Sequence, residues 1–250
     1  MLLIPGAEPF TAEGDSLGVL VLHGFGGSPV SVKPWARHLA AAGHTVAAPC
    51  LPGHGTRWQD LNDTTWQDWA GEAQRSLDWL LTRAETVVVM GLANGATIGL
   101  RLAELRGPAI AGLVAVNPMV HSERRERHAL PYLYRLVPGL PGITPDIKKK
   151  GVDDGGYDWL PLRAAHSMTQ LWAVVRSDIH KVTQPLLVLR SADDHVAEPS
   201  NSAWLLANVP GSDVQEIVLE DSFHVATLDH DAERIFALSL EFAERLAVKS

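Results

Sequence analysis

Cysteine, long apolar runs and an excess of positive charge are all scarce or missing in this 250-residue sequence. The single cysteine, Cys50, cannot form an internal disulfide, and no metal-ligand pattern surrounds it. No segment approaches the ~18 consecutive apolar residues of a membrane-spanning helix. The amino-terminal residues lack the basic region and the long apolar core of a secretory signal. These absences favour a cytoplasmic protein with no integral membrane segment.

Acidic side chains outnumber basic ones by 29 to 21, and the formal net charge is −8. This balance argues against a nucleic-acid partner, because a broad basic face would be needed to neutralise phosphates. The one basic run, Lys148 to Lys150, is interpreted as a solvated loop. No pair of histidines has metal-ligand spacing near carboxylates in a pocket-forming loop, so no metal and no other cofactor is predicted.

Short apolar segments alternate with amphipathic ones along most of the chain. Strands are predicted over residues 17–22, 45–48, 87–90, 111–116, 185–190 and 214–219, and helices over 32–42, 64–83, 201–208 and 232–247, with one more helix directly after residue 95. This alternation predicts a single α/β domain over residues 1–250, with a mostly parallel sheet covered by helices on both faces. Between residues 118 and 184 the alternation stops, and this segment is interpreted as an inserted cap.

The stretch around which the chain is organised is Gly91-Leu92-Ala93-Asn94-Gly95, which joins a buried strand to a helix. A strand, a tight turn and a helix are the setting in which a G-x-S-x-G nucleophile elbow works. Glycines at 91 and 95 suit the turn, because larger side chains would collide with the crossing elements. The central residue is Ala93, so the housing for a serine nucleophile is present and its hydroxyl is not.

Two other hydroxyls lie near this turn in the sequence. Thr97 follows one helical turn later and is predicted to point into the helix packing. Ser28 belongs to a glycine-rich loop after the first buried strand and has no base placed for it. Neither is expected to replace the missing nucleophile.

Three more loops follow predicted strands and should meet the elbow at the carboxyl edge of the sheet, where sites form in parallel sheets. One is the glycine-rich loop over residues 23–28. The second carries Asp193 and Asp194, and the third carries His224. Elbow, acid and histidine follow one another in the chain order expected of a serine hydrolase on this architecture.

These stretches together resemble the α/β-hydrolase superfamily, and within it the group of bacterial monoacylglycerol lipases and small carboxylesterases. The resemblance runs nearly the full length and is weakest in the cap. The matching segments are residues 21–29, 51–56, 91–95, 193–196 and 222–229. The chain departs from the family pattern at Ala93, where the family has serine, and at Asn94, where methionine or glutamine is commoner.

The resemblance implies roles for individual residues around the nucleophile position. His224 would be the general base, and Asp194 would orient it and stabilise its charge. Asp193 is the competing acid, less favoured because the family places its carboxylate directly before His195. The backbone N–H groups of Phe25 and Asn94 would form the oxyanion hole, which needs amides and no particular side chains.

Apolar residues of the cap suit a pocket for an acyl chain. They are Leu130, Tyr132, Leu133, Tyr134, Leu136, Val137, Ile143, Leu160, Met168, Leu171 and Trp172. The resemblance also places an acidic residue of a Tyr-acid-x-x-Pro sequence at the glycerol end of the substrate. Asp158 stands in that position, with aspartate in place of the longer glutamate. A helix N-cap is the alternative interpretation of Asp158.

The implied function is hydrolysis of monoacylglycerols or other short-to-medium-chain acyl esters through an acyl-enzyme. Loss of a triad serine in a serine protease lowers turnover about a millionfold, so this chain should bind an ester and scarcely cleave it. One missing oxygen in an otherwise intact site suggests a deliberate Ser→Ala change. The alternatives are a natural, non-catalytic ligand-binding protein on a hydrolase fold and a hydrolase of amides or lactones.

Overall fold

The computed structural model describes residues 2–142 and 145–248. The strands are β1 (Phe10–Ala12), β2 (Leu17–Leu22), β3 (Thr45–Ala48), β4 (Thr86–Leu92), β5 (Gly112–Val116), β6 (Gly139–Pro141), β7 (Trp159–Pro161), β8 (Leu186–Ser191) and β9 (Val214–Leu219). The α-helices are α1 (Lys33–Ala41), α2 (Trp58–Leu61), α3 (Trp66–Leu81), α4 (Asn94–Arg106), α5 (Leu130–Leu133), α6 (Leu162–Asp178), α7 (Ser200–Asn208) and α8 (Ala232–Ala247).

Seven of these strands form one sheet in the order β1-β3-β2-β4-β5-β8-β9. Only β1 runs antiparallel to its neighbour in this sheet. Strands β2, β3, β4 and β5 are buried along their whole length, as expected for parallel strands covered on both faces. The predicted α/β class and mostly parallel sheet are therefore confirmed.

Successive side chains of the central strands enter two separate apolar clusters, because neighbours on a strand point to opposite faces. Leu20 and Leu22 of β2 belong to the cluster that includes residues of α3, α4, α6 and α7. Val19 and Val21 belong to the opposite cluster, which includes residues of α1 and α8. None of the helices described is long and apolar enough to cross a bilayer.

The predicted insert, residues 118–184, contains α5, α6 and a small antiparallel hairpin of β6 and β7. Helix α6 also contributes Leu171 and Val175 to the same apolar cluster as α3 and α4. This helix is thus integrated into the core packing on one side. Ile143, one of the predicted pocket residues, lies outside the described residues.

Candidate active site

Ala93 occupies the sharp turn between β4 and α4, with φ 52° and ψ −117°. The two glycines that flank it are required by close backbone contacts. A Cβ at Gly95 would lie 2.3 Å from the carbonyl oxygen of Leu22, and one at Gly91 would lie 2.4 Å from the backbone nitrogen of Ala96. A larger residue at either position would force β4 and α4 apart. The turn therefore depends on glycine at both positions.

His224 and Asp194 are in direct contact. The Nδ1 of His224 donates to Asp194 Oδ2 at 2.8 Å, and Asp194 Oδ1 accepts the backbone N–H groups of Val196 and Ala197, both at 2.8 Å. Burial opposes ionisation of Asp194, but the bonds from His224 and the backbone outweigh it, and the pKa of this carboxyl is lowered. When Nδ1–H donates this hydrogen bond, Nε2 of a neutral His224 ring is the nitrogen with a free lone pair.

Asp193, the competing acid, is directed elsewhere. Its side chain is 67% exposed, and its Oδ1 lies 3.6 Å from Nε2 of His195. Of the two adjacent carboxylates, Asp194 is therefore the one in contact with His224.

A cavity of about 760 Å³ lies at the carboxyl edge of the sheet. Phe25, Ala93, Asn94 and His224 all line it, so the structure brings these four predicted residues to one space. The glycine-rich loop lies against the elbow, because a Cβ at Gly24 would be 3.4 Å from that of Ala93. The volume is within the usual range for sites of small organic ligands.

The other side of the cavity comes from the insert and is mainly apolar. Five of the predicted pocket residues line it: Leu130, Leu133, Leu160, Met168 and Trp172. The five other predicted residues that the structure describes do not line it. Leu171 is buried in the core, Tyr134 stacks on the ring of His166, and Tyr132, Leu136 and Val137 are 71%, 78% and 38% exposed.

Comparison with known proteins identifies the family of this chain. A family model described as "Serine aminopeptidase, S33" matches residues 16–231. The chain belongs to this α/β-hydrolase family. A thermostable monoacylglycerol lipase from Bacillus sp. (strain H-257) is 35% identical over 247 residues, which cover 96% of this chain and 95% of the relative.

Two further relatives of this α/β-hydrolase are esterases or lipases. A carboxylesterase from Bacillus subtilis (strain 168) is 27% identical over 243 residues, which cover 96% of this chain and 97% of the relative. A solved structure from work on the metagenome-derived lipolytic enzymes LipS and LipT has a TM-score of 0.94 and 34% identity, with 98% of this chain and 100% of the other covered. The chain is therefore a member of the lipase and esterase group of α/β-hydrolases.

Asp158 of the hydrolase is not brought to the cavity. Its neighbours Tyr157 and Trp159 line the cavity, and neighbouring side chains of an extended segment point to opposite sides. The Asp158 side chain is exposed, and its carbonyl accepts the N–H of Gly142 at 2.7 Å. The N-cap of the following helix is Pro161, so neither of the two interpretations of Asp158 agrees with its position.

A different carboxyl, Asp154, lines the cavity and was not found by the sequence reasoning. Its Oδ1 accepts the N–H of Gly156 at 2.9 Å, and burial raises the pKa of the carboxyl. The sequence around Asp154 is Asp-Asp-Gly-Gly, which is typical of an exposed turn. Nothing in that pattern indicates burial.

The two alternative hydroxyls have structural partners. Thr97 is fully buried, and its hydroxyl donates to the carbonyl of Met119. The Ser28 hydroxyl accepts the N–H of Val30 at 3.3 Å. Both arrangements agree with the expectation that neither group replaces a nucleophile at position 93.

Two buried histidines shape the glycine-rich loop. His23 Nδ1 donates to the carbonyl of Gly24 at 2.9 Å, and its Nε2 accepts the N–H of Leu51 at 3.1 Å. Burial lowers the pKa of His23 to about 4, so the ring is neutral near pH 7. The ring of His54 lies edge-on, 5.0 Å from that of His23, and burial lowers its pKa well below the usual value.

Asn117, at the end of β5, is a second residue that the sequence reasoning missed. It is a non-glycine residue with φ 45°, and it is 1% exposed. Its amide nitrogen donates to the carbonyl of His224 at 2.8 Å and to Ser191 Oγ at 2.9 Å, while its amide oxygen accepts the N–H of Ser191 at 2.7 Å. Asn117 thus connects the strand ends that lead to the acid and to the histidine. A polar residue directly after a buried strand is the signal that could have indicated it.

In the described part of the chain, no group of three or more His, Cys, Asp or Glu side chains is arranged to hold a metal ion.

Proposed function

We propose that this α/β-hydrolase is the alanine form of a serine ester hydrolase that takes monoacylglycerols or similar short-to-medium-chain acyl esters. One observation carries the proposal: Ala93, at its strained turn, and His224, which is hydrogen-bonded to Asp194, line the same cavity. The names of the relatives, a monoacylglycerol lipase and a carboxylesterase, support this class of substrate.

With serine in place of Ala93, hydrolysis would proceed in two steps, acylation and deacylation. The hydroxyl oxygen attacks the ester carbonyl carbon while Nε2 of His224 takes its proton, and the same proton then goes to the departing alcohol. Water next attacks the acyl-enzyme, giving its proton to His224, and the serine oxygen leaves with that proton. Asp194 stabilises the imidazolium in both steps. A methyl group at position 93 can form no such bond, so the chain as it stands binds ester without this route to cleavage.

The backbone N–H groups of Phe25 and Asn94 are proposed as the oxyanion hole. Both residues line the cavity beside Ala93, one from the glycine-rich loop and one from the first position of α4. Backbone donors fixed in a water-poor site stabilise a developing oxyanion more than they stabilise a neutral carbonyl. The amide side chain of Asn94 is not needed for this role.

Residues 118–184 are proposed as a cap that supplies the acyl pocket. The lining residues from this segment are mainly apolar, which suits a hydrocarbon chain. The carboxyl of Asp154 is a buried polar group on the same cavity, and it can hydrogen-bond the hydroxyl groups of a glycerol end.

A natural ligand-binding protein is the second candidate, and Ala93 itself is the observation that favours it. Restoring the hydroxyl separates the two. Ala93→Ser should give hydrolysis of p-nitrophenyl esters and monoglycerides, about 10⁶-fold above the parent chain. The double variant Ala93→Ser/His224→Gln is the matched control and should lose this activity. Tight binding of acyl ligands by Ala93→Ser without any turnover would overturn the enzyme proposal and support the binding protein.

A further inference from the structure

The acid and the base of the proposed site stand on separate loops. Asp194 follows β8 and His224 follows β9, which are neighbouring parallel strands at one edge of the sheet. Their contact therefore depends on how these two loops are held relative to each other. Side chains from outside both loops perform this task, on two sides.

Asn117 acts on the core side. As described above, its amide group bonds Ser191, three residues before Asp194, and the carbonyl of His224. This contact is buried and uncharged. It fixes the carbonyl of His224 and leaves the N–H of the same residue to be held by something else.

Asp146 holds that N–H from the opposite side. Its Oδ2 accepts the backbone N–H groups of His224 and His195, each at 3.1 Å, and its Oδ1 is 2.8 Å from Nδ1 of His195. The carboxylate is only 12% exposed. One charged group thus bonds the histidine loop at the proposed base and the acid loop at the residue after Asp194.

Further hydrogen bonds join the segment around Asp146 to the loop of His224. The carbonyl of Asp146 accepts the N–H of Val225 at 3.1 Å. In return, the carboxylate of Asp229 accepts the N–H groups of Lys148 and Lys149 at 2.7 and 2.9 Å. Residues 146–149 are therefore docked on the loop of His224 by bonds that run in both directions.

We propose that Asp146, which belongs to the inserted segment, is a positioning residue that holds the two loops so that Asp194 and His224 stay hydrogen-bonded to each other. This role rests on the proposed function of that pair. Hydrogen bonds from N–H groups to a carboxylate are stronger than those between neutral groups, and a partly buried N–H that loses its acceptor is destabilised. Because residues 146–149 belong to the predicted cap, the geometry of the base depends on the docking of the cap against its loop.

The first test uses the chain with Ala93 and needs no turnover. The proton on Nδ1 of His224, hydrogen-bonded to Asp194, should give a far-downfield resonance in the proton NMR spectrum, to be assigned by its loss in His224→Gln. Asp146→Ala should broaden or remove this resonance. His195→Ala is the matched control: it removes one partner of Asp146 and keeps the bond to the N–H of His224, so the resonance should persist.

Two conservative variants separate position from charge. Asp146→Asn keeps an acceptor oxygen at the same place without the charge, and it should retain the resonance. Asp146→Glu keeps the charge but moves the carboxylate by one methylene, and it should weaken the resonance. If Asp146→Ala fails to fold, the comparison of Asp146→Asn with Asp146→Glu still tests the positioning role of Asp146.

The second test measures turnover of p-nitrophenyl butyrate in the Ala93→Ser background. Asp146→Ala and Asp146→Glu should lower kcat on the order of 10- to 100-fold, because a misplaced base slows the chemical step. Asp146→Asn should recover most of kcat.

An unchanged resonance in Asp146→Ala and Asp146→Glu would overturn the proposal, as would a loss in Asp146→Asn equal to that in Asp146→Glu. Absence of turnover in Ala93→Ser alone would count against the proposed function and leave the NMR result to decide the role of Asp146.

Discussion

Ala93 has a backbone conformation, φ 52° and ψ −117°, that residues other than glycine rarely adopt. Such strain persists where the surrounding structure fixes the backbone, and it is common at reactive residues. Here the fixing contacts are visible: the N–H of Ala93 donates to the carbonyl of Val116 at 2.8 Å, and the glycines on both sides admit the crossing chain. The turn therefore keeps the shape of a nucleophile elbow without a nucleophile.

This strain predicts an unusual response to glycine. Ala93 and Ala96 are equally buried, each 4% exposed, but Ala96 has ordinary helical backbone within α4. Ala96→Gly should lower the free energy of unfolding by about 0.5–1 kcal/mol through backbone entropy, and more through the lost methyl group. Ala93→Gly has the same losses but relieves strain, so it should be more stable than Ala96→Gly by about 1–3 kcal/mol. Urea unfolding of the two variants measures the difference, and equal stabilities would show that Ala93 is unstrained.

The two adjacent carboxylates should differ sharply in their effect on turnover. In the Ala93→Ser background, Asp194→Asn places an amide against Nδ1 of His224 and should lower kcat by about 10³- to 10⁴-fold, as the wrong tautomer does in a serine protease. Asp193→Asn removes only an exposed group beside His195 and should stay within about 2-fold of the background. Steady-state hydrolysis of one ester by both variants provides the comparison. A larger loss from the Asp193 variant would reverse the assignment of the acid.

At the scale of single elements, apolar periodicity predicted most strands of the sheet and most helices packed on it, but it missed β1 and α6. Strands over residues 17–22, 45–48 and 214–219 and the closing helix over 232–247 have the predicted bounds. Local pattern and tertiary burial agree there: strands 17–22 and 45–48 are short runs buried on both faces, and the closing helix has the period of the face that it buries. Between residues 118 and 184 the short elements α5, β6 and β7 have three or four residues each, too few to show a period.

Helix α4 links the site to a buried charge cluster at its other end. Glu104 is fully buried at its side chain and pairs with Arg101 at 2.9 Å, and Arg101 also bonds Asp178 of α6 at 2.8 Å. Burial raises the pKa of Glu104 to about 7, despite the opposing effect of Arg101. The folded state therefore holds this proton more tightly than the unfolded chain does.

The consequence is a pH dependence of stability with a defined sign. The stabilising effect of protonated Glu104 is fully present below pH 4.5 and is lost as the pH rises through about 7. Relative to Glu104→Gln, which cannot titrate, the parent should lose up to about 3 kcal/mol of unfolding free energy across this window. Urea unfolding at pH 5 and pH 7.5 tests this, with Glu72→Gln as the control, since the Glu72 side chain is 29% exposed and pairs with Arg75. Parallel pH profiles of the parent and Glu104→Gln would contradict the raised pKa.

For the whole molecule, the cavity is the product of segments distant in the chain. The sequence indicated the elbow, the acid and the histidine because each follows a predicted strand at the same edge of the sheet. Asp146 and Asp154 carry no such signal, since they lie in an irregular segment and gain their neighbours only when it docks. Asp146 contacts His224 across 78 residues of sequence. Such contacts depend on tertiary placement, and no spacing pattern encodes them.

Helix α6 lies between the cavity and the core, so the proposed acyl pocket can be tested by substitutions on the face of α6 that lines the cavity. Ala165, Met168 and Trp172 line the cavity, at helical spacings of three and four, while Leu171 and Val175 pack into the core cluster. A larger side chain at position 165 should therefore narrow the cavity without displacing the helix from the sheet. Long acyl chains should be affected more than short ones.

In the Ala93→Ser background, Ala165→Leu should raise KM for p-nitrophenyl decanoate about 10-fold or more while the value for the acetate changes by about 2-fold or less, since excluding even one methylene from a filled pocket has an effect of this size. Ala173→Leu, on the exposed side of the same helix, should leave both values unchanged. Steady-state kinetics with esters of two to ten carbons locate the length at which the loss begins. An equal rise in KM for acetate and decanoate would contradict this prediction. The substitution would then act on the surroundings of residue 93 and His224, and the acyl chain would have to lie along another wall of the cavity.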